Sequence, residues 1–206
     1  MSEPGFEQSR RIALQAASLL TATTLTAGWS SVLAGAPAAA PDDPAAADDS
    51  ATKPAPGKPG DFDFLAGEWR IRHRRLKSGS TDDWDEFAGE ASCFTILGGI
   101  ASIEELRIPE RKFSGMGLRL LDASTRVWND FWVNAASGVL SVPGMAGHFK
   151  DGVGTFSADD LDGEQPIRVR GVWDRITPTS CRWQQAVSRD GGATWVTNWS
   201  MDWQRA

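Results

Sequence analysis

The most constraining feature of the sequence is DGGATWVTNWSMDW, Asp190 to Trp203, in which tryptophan recurs at every fourth position. A spacing of four suits one face of a helix and also one face of a strand. The odd positions carry Trp195, Thr197, Trp199, Met201 and Trp203. Polar residues fill most even positions, which is the period-two pattern of a half-buried strand. Thr, Val, Asn and Ser are also weak helix formers, so the stretch predicts a strand with inward-facing rings.

The same alternation recurs through most of the chain after residue 60. The stretches that show it are WRIRHRRL, EFAGEASCFTIL, ASIEELRI, GMGLRLLD, RVWNDFWVN, GVLSV, GVGTFSAD, PIRVRGVW and SCRWQQAVS. Turn-forming segments such as DAST, NAASG, KDG, LDGEQP and RDGG separate them at intervals of roughly 8–14 residues. Only FDFLAGE, before the first strand, indicates a short helix. We therefore predict an all-β domain of about ten antiparallel strands, a meander closed into a barrel or folded as a sandwich.

Two strands indicate which side chains face inward. SCRWQQAVS is predicted to place Cys181, Trp183 and Val187 on one face, opposite Ala186. WRIRHRRL alternates between an inner set (Trp69, Ile71, His73) and an outer set (Arg70, Arg72, Arg74). We interpret these arginines as the solvated face of a strand, with a polyanion site as the alternative. Formal net charge is −6 and no basic patch is concentrated enough to predict a nucleic-acid partner.

The N-terminal segment has the order of an export signal. Arg10 and Arg11 precede a moderately apolar run and then small residues. The pair resembles the twin-arginine (Tat) motif Ser-Arg-Arg-x-Phe-Leu-Lys. The matching positions are Ser9, Arg10, Arg11 and Leu14, whereas Ala13 and Gln15 depart from the motif. The resemblance implies passage through the Tat translocase to the periplasm or beyond; a Sec signal or an uncleaved anchor are the alternatives.

Small residues at the end of this segment predict cleavage after Ala38. No cysteine lies there, which excludes a lipoprotein signal. The apolar run contains several Thr and Ser residues, so we expect no stable membrane span after cleavage. Residues 39–60 are mainly Ala, Pro, Asp, Lys and Gly and are expected to form a disordered linker. The expected organisation is a signal peptide at 1–38, a linker at 39–60 and a β-barrel domain at 61–206.

The order of motifs along the domain resembles a known superfamily. FDFLAGEW at the first strand, followed by LGG, GMGLRLLD, DGVGTF and DGGATW, is similar to bacterial DUF1579-type proteins and to calycin barrels more widely. Calycins include lipocalins, fatty-acid-binding proteins and the haem-binding nitrobindins. The resemblance covers nearly all of 61–206 and implies a ligand pocket inside the barrel. It does not imply a particular reaction.

A second resemblance is local to one hairpin. Its residues are Ser188, Asp190, Gly192, Thr194 and Trp195, which match the Asp-box Ser-x-Asp-x-Gly-x-Thr-Trp of sialidase propellers. In those proteins the motif is a structural staple of a hairpin and is not catalytic. This chain has one copy, whereas a propeller needs several, so the motif does not predict a glycosidase. It is expected to hold the turn that leads into the tryptophan strand.

Side chains that could carry chemistry are few. The domain has two histidines, His73 and His148, with no nucleophile elbow and no zinc-binding spacing. His73 could line the interior or serve as a hydrogen-bonded barrel residue. His148, in GMAGHFKDG, is the only candidate ligand for haem iron, and a surface histidine is the alternative. We therefore predict no metal or cofactor, with nitrobindin-like haem binding as a lesser hypothesis.

Carboxylates and thiols on the strands leave further alternatives open. Glu104, Glu105 and Asp130 could face the interior, where an acid opposite Arg119 would be either a proton-transfer site or a structural ion pair. Cys93 and the cysteine of SCRWQQAVS lie on different strands. They could be bonded in an exported protein or remain buried thiols.

The domain contains nine tryptophans and no tyrosine. They could fill a solid barrel or form the wall of a cavity. The candidate ligand-binding residues are Trp69, His73, Trp132, Trp173, Trp199 and Trp203. We predict an exported barrel that binds a small apolar or aromatic molecule. The alternatives are an isomerase- or hydratase-type barrel enzyme using a cavity carboxylate or histidine, and a solid structural or interaction barrel.

Overall fold

The computed structural model describes residues 56–206, so the predicted signal peptide and most of the predicted linker lie outside the described residues. Eleven strands follow one another along this part of the chain. They are β1 (Gly67–Leu76), β2 (Trp84–Ile96), β3 (Ala101–Ile108), β4 (Phe113–Leu121), β5 (Trp128–Asn134), β6 (Val139–Leu140), β7 (Met145–Lys150), β8 (Val153–Asp162), β9 (Gln165–Asp174), β10 (Ser180–Ser188) and β11 (Val196–Arg205).

The strands form a closed antiparallel barrel. Successive strands pair in chain order, β5 pairs with both β4 and β7, and β11 pairs with β1 to complete the circle. The two-residue β6 pairs only with β5, so ten strands make up the wall. Closure gives every wall strand two neighbours and leaves no unpaired edge. The prediction of an all-β, ten-stranded meander is confirmed, and of the two architectures it allowed the barrel is the correct one.

The predicted helix at the barrel entrance is wrong. FDFLAGE forms a single 3-10 turn, Asp63–Leu65, and residues 56–206 contain no α-helix. So short a segment cannot offset the cost of helix nucleation, and Gly67 at φ +124° turns the chain directly into β1. Two further 3-10 turns occur at Leu97–Gly99 and Pro109–Arg111. No helical segment in this part of the chain is long or apolar enough to cross a membrane.

The segment before β1 packs into the barrel instead. Phe62 is buried, and its ring lies 4.9 Å from Trp128, 5.0 Å from Phe149 and 5.6 Å from Phe156, measured between centroids. The indole of Trp128 also donates to Asp61 Oδ2 at 3.0 Å. Edge-to-face aromatic contacts of this kind add to the burial energy. These residues form a solid aromatic plug in one part of the interior.

The tryptophan strand β11 begins at Val196, one residue after Trp195. Trp199, Met201 and Trp203 are buried on its inner face, as the alternation predicted. The prediction for β10 needs a correction at its centre. The inner face continues from Trp183 to Gln185, which is 2% exposed, and a β-bulge then shifts the register between Gln185 and Ala186. A bulge inserts one extra residue and changes which side chains face inward after it.

Arg70, Arg72 and Arg74 lie on the outer, exposed face of β1, as the alternation predicted. Arg72 is 3.9 Å from Asp202 and Arg74 is 3.7 Å from Glu86. Such exposed ion pairs contribute little to stability. The run is therefore a solvated strand face with acidic neighbours.

Cys93 and Cys181 are both free and buried. Burial raises the pKa of both thiols, that of Cys181 to about 12, because a thiolate would lose its hydration. Of the two alternatives left open by the sequence, the structure has the buried thiols, which stay protonated at neutral pH.

Candidate functional site

A cavity in the barrel interior is the candidate site. The cavity volume is about 70 Å³, counted as the space that the centres of water molecules can occupy. The lining residues are Glu104, Leu106, Arg119, Asp130, Phe131, Trp132, Ser141, Met145, Trp173, Trp183, Gln185, Trp199, Met201 and Trp203. Phe131, Trp132 and Ser141 keep partial exposure, so the cavity approaches solvent beside β5 and β6.

Aromatic rings from three neighbouring strands form much of the wall. Trp173 on β9, Trp183 on β10 and Trp203 on β11 all point inward, and the register places Trp183 opposite both Trp173 and Met201. The Trp173 and Trp203 rings are 5.4 Å apart and tilted, and Trp183 meets Trp199 edge-on at 5.8 Å. Bulky rings on successive inner positions cannot all pack flat against one another, which leaves space between them.

A buried ion cluster forms the opposite wall. The register sets Arg119 on β4 directly across from Asp130 on β5, and Glu104 across from Gly117. Arg119 Nη2 donates to Glu104 Oε2 at 2.5 Å, and its Nε lies 3.5 Å from Asp130 Oδ1. A Cβ at Gly117 would come within 3.0 Å of Arg119 Nη2, so this glycine provides the room for the pair. One cation is thus shared by two carboxylates.

Burial and charge act differently on the members of this cluster. Burial raises the pKa of Asp130 to about 6, an effect that Arg119 opposes and Glu104 increases. Burial alone would lower the pKa of Arg119, but the two carboxylates outweigh it and raise that pKa, so the guanidinium stays charged. At neutral pH the cluster therefore holds a firmly cationic arginine beside a carboxyl group with an unusually high pKa.

Four nitrogen donors of the cavity-lining residues lack a hydrogen-bond acceptor. Arg119 Nη1, Trp173 Nε1 and Trp203 Nε1 are buried and have no hydrogen-bond partner among the described residues, and the same holds for Arg119 Nε, which lies only at ion-pair distance, 3.5 Å, from Asp130 Oδ1. Arg119, Trp173 and Trp203 are 4%, 1% and 2% exposed as whole residues. A buried donor without an acceptor costs roughly 1–3 kcal/mol, so such groups need an explanation.

The structure divides the six predicted ligand-binding residues into two groups. Trp132, Trp173, Trp199 and Trp203 line the cavity. Trp69 and His73 are fully buried but do not line it. Trp69 packs edge-on against Trp203 at 5.9 Å and donates its indole N–H to Leu65 O at 2.7 Å. It therefore supports the wall from behind.

His73 lies in a packed aromatic environment. Its ring stacks on Phe87 at 4.6 Å with an interplanar angle of 7°, and its Nδ1 accepts a hydrogen bond from Trp199 Nε1 at 3.3 Å. Burial lowers the pKa of His73 to about 3, and the positive charges of Arg111 and Arg75 add to this effect. His73 is therefore a neutral, hydrogen-bonded barrel residue.

His148 is on β7 between Gly147 and Phe149, half-buried and away from the cavity lining. Burial, with a contribution from Lys150, lowers its pKa. Haem binding through His148 at the mouth of the pocket, the lesser hypothesis from the sequence, stays a prediction. Across residues 56–206 no group of three or more metal-binding side chains occurs.

The Asp-box residues build a compact turn between β10 and β11. Asp190 Oδ1 accepts from Ser188 Oγ at 2.7 Å and from the Thr194 backbone N–H at 2.9 Å. Ser188 Oγ accepts from the Gly192 backbone N–H at 2.8 Å. Trp195 packs beneath Arg170, whose guanidinium carbon is 4.3 Å from the ring centroid. The turn lies outside the cavity and directs the chain into β11.

Sequence reasoning missed several wall residues. Gln185 follows directly from the alternation if it is counted forward from Cys181. Met145 and Leu106 are inner residues of short strands and carry no signal that separates a cavity wall from a solid core. Ser141 lies in a connecting segment whose course depends on its neighbours. The sequence did identify Arg119, Glu104 and Asp130 as candidates, and all three line the cavity. Glu105, the third candidate carboxylate, lies on the outer face, 2.9 Å from Arg107.

No protein-family model matches the sequence, and no curated protein resembles it significantly. Among solved structures, one similar protein is a DUF3598-family protein of unknown function from Nostoc punctiforme PCC 73102, at 14% identity and TM-score 0.44. The match covers 70% of this chain and 48% of that one, so this chain spans about half of its length.

A second similar structure is the S-type phycobiliprotein lyase from Guillardia theta. It has 11% identity and a TM-score of 0.43, and the match covers 70% of this chain and 90% of the lyase. At this level of similarity neither structure assigns a family or a function to the chain.

Proposed function

We propose that this barrel binds a small apolar or aromatic molecule in its interior. The observation that carries the proposal is the cavity between Trp173, Trp183, Trp199 and Trp203, with other apolar side chains and the Arg119 cluster completing the wall. Concave sites walled by aromatic rings with a few polar groups are typical of ligand binding.

The size of the cavity restricts the ligand. A water molecule needs about 10–15 Å³ of such space, so the cavity has room for about five waters. This is the scale of a single ring. A haem or an extended fatty acid would require the barrel to open.

The test is a calorimetric titration of the full-length protein with toluene. We expect saturable binding that Leu106→Phe abolishes, because the larger ring fills the cavity from its β3 wall. Ile108→Phe is the matched control. Ile108 is two residues further along the same buried strand face, and it does not line the cavity.

Both substitutions add similar volume to the core and carry a similar overpacking cost. Loss of binding in Leu106→Phe alone supports the cavity as the site. Absence of saturable binding by the folded wild-type protein, or equal loss in both variants, argues against it.

A second candidate function is proton transfer at the same cavity. It is favoured by Asp130, whose pKa of about 6 suits a general base near neutral pH. Asp130 borders both the cavity and Arg119. In an enzyme of isomerase or hydratase type, Asp130→Asn would abolish the activity while the affinity for a bound ring is kept. A protein that only binds has no activity to lose.

Export through the Tat translocase to the periplasm or beyond is also part of the proposal. It is supported by Arg10 and Arg11 and the small residues before Ala39. Replacing both arginines with lysine is expected to leave the precursor in the cytoplasm, and fractionation of cells expressing the full chain measures this. Normal export of the double variant would exclude the Tat route.

The relationship to DUF1579-type proteins is likewise proposed from the sequence alone. It is supported by the order of FDFLAGEW, GMGLRLLD, DGVGTF and DGGATW along residues 61–206. An alignment of DUF1579-type sequences that failed to place these motifs in the same order would contradict it.

A further inference from the structure

We infer that the molecule bound in the cavity is uncharged and carries a carbonyl-type oxygen, which accepts hydrogen bonds from Arg119 Nη1, Trp173 Nε1 and Trp203 Nε1. The inference rests on the proposed function in taking the cavity to be the ligand site. It adds the chemical class of the ligand, such as an aryl ketone, a lactone or a quinone.

The unpaired polar groups of the cavity wall are all hydrogen-bond donors. An indole N–H and a guanidinium N–H can only donate hydrogen bonds. The three donors lie on β4, β9 and β11, and none meets an acceptor within residues 56–206. Trp173 presents its ring to Arg119 at 5.2 Å, but a ring face supplies no oxygen lone pair for Nη1. The complement of these groups is an acceptor.

The cavity wall already contains carboxylate and amide groups. Glu104 Oε2 is bound by Arg119 Nη2, and Asp130 Oδ1 faces Arg119 Nε at 3.5 Å. The Gln185 amide donates to Asn198 Oδ1 at 3.2 Å. Glu104 therefore accepts from Nη2, and Asp130 is in ion-pair contact with Nε without a hydrogen bond, so the wall has more donors than it uses.

The charges already present in the wall disfavour an anionic ligand. Arg119 already faces two acids, so the cluster is negative by one charge when both are ionised. A carboxylate ligand would bring a third anion to one cation in a site of low polarity, where like charges repel strongly. A neutral carbonyl offers the same lone pairs without that repulsion.

The test uses three ring compounds of the same shape. These are α-methylstyrene, acetophenone and benzoate, which differ only in presenting a methylene, a carbonyl oxygen or a carboxylate beside the ring. Titration of the full-length protein at pH 7.5 is expected to give about tenfold tighter binding of acetophenone than of α-methylstyrene, a difference of about 1.4 kcal/mol. Benzoate is expected to bind more weakly than either.

Three variants assign the effect to the donors. Trp173→Phe and Trp203→Phe keep an aromatic ring and remove the N–H, so each is expected to reduce the preference for acetophenone several-fold. Trp183→Phe is the matched control, because Trp183 lines the same wall but is only half-buried, and its indole nitrogen is not among the buried donors that lack a partner. In nitrogen-15 NMR spectra, the indole N–H signals that disappear in the two variants are expected to move when acetophenone binds the wild type.

The outcomes separate the inference from the proposed function. Equal affinity for α-methylstyrene and acetophenone would overturn the inference and leave apolar binding intact, with water serving the donors. Tightest binding of benzoate would also overturn it, because the site would then select an anion. An equal loss of preference in Trp183→Phe would remove the assignment to Trp173 and Trp203. Failure of all three compounds to bind would overturn the proposed function itself.

Discussion

Two of the polar groups that the barrel buries, His73 and the Arg119 cluster, are accommodated in contrasting ways. His73 lies between Phe87 and Trp199, where its single hydrogen bond suits a neutral ring. Arg119 lies between Glu104 and Asp130 and keeps its charge. Both are almost fully buried, so burial alone does not decide the charge state. The difference lies in the neighbours, and Arg119 lines the cavity whereas His73 does not.

The comparison also makes the two regions respond oppositely to pH. The folded pKa of His73 is lowered to about 3, whereas that of Asp130 is raised to about 6. Stability follows the difference in bound protons between the unfolded and folded states. His73 therefore makes the fold less stable as pH falls from 6.5 towards 3, and Asp130 makes it less stable as pH rises from 4 towards 6. In the wild-type protein the two effects partly cancel.

The largest expected effect concerns His73. His73→Gln keeps an acceptor for the Trp199 indole but cannot take up a proton. Between pH 7 and pH 3 the wild type is expected to lose on the order of 5 kcal/mol more stability than the variant, because its unfolded chain gains a proton that the folded ring excludes. Urea unfolding across this range measures the difference. Parallel plots of unfolding free energy against pH for the two proteins would show that His73 takes up a proton as readily in the fold as in the unfolded chain.

The next effect tests the paired region. Arg119→Met leaves two carboxylates buried without a cation, which is expected to cost about 3–5 kcal/mol at pH 7. Arg107→Met is the control. Arg107 also bonds two carboxylates, Glu90 at 3.0 Å and Glu105 at 2.9 Å, but at the surface, where the expected cost is about 0–1 kcal/mol. Similar costs for the two variants in urea unfolding would remove the contrast between buried and exposed pairs.

A smaller effect is expected for Asp130→Asn. The wild type is expected to lose on the order of 3 kcal/mol relative to this variant as pH rises from 4 to 7, because the unfolded carboxyl ionises first. The sign is opposite to that of His73, which makes the pair of variants diagnostic. A wild type that gains stability over the variant in this range would mean that Arg119 outweighs burial at Asp130.

The smallest effect is expected at an exposed acid. The Thr194 hydroxyl and backbone N–H, followed by Ser188, lower the pKa of Asp190 to about 2, so its contribution is present above pH 4 and is lost as pH falls towards 2. Water can replace these bonds. Asp190→Ala is expected to lower the melting temperature at pH 7 by less than Arg119→Met does. A larger decrease would show that the turn controls the placement of β11.

Much of the fold is readable from local pattern, because the direction of a strand side chain depends only on its position along that strand. The inward tryptophans of β11, the exposed arginines of β1 and the turn signals followed from alternation and turn chemistry. The strand count followed too. The apolar residues of FDFLAGE are also visible in the sequence, but their conformation is not. Whether they form a helix or a plug depends on the rings of Trp128 and Phe149, which pack against Phe62.

The site depended on relations between strands, which a single sequence does not contain. The register places Arg119 opposite Asp130, and Gly117 leaves room for Glu104. His73 and Trp203 share the inward direction, yet one is enclosed by packed rings and the other lines open space. A cavity is the small volume left when many side chains pack together, so no local pattern specifies it. Alternation determined which residues enter the barrel, and tertiary packing decided which of them surround a space.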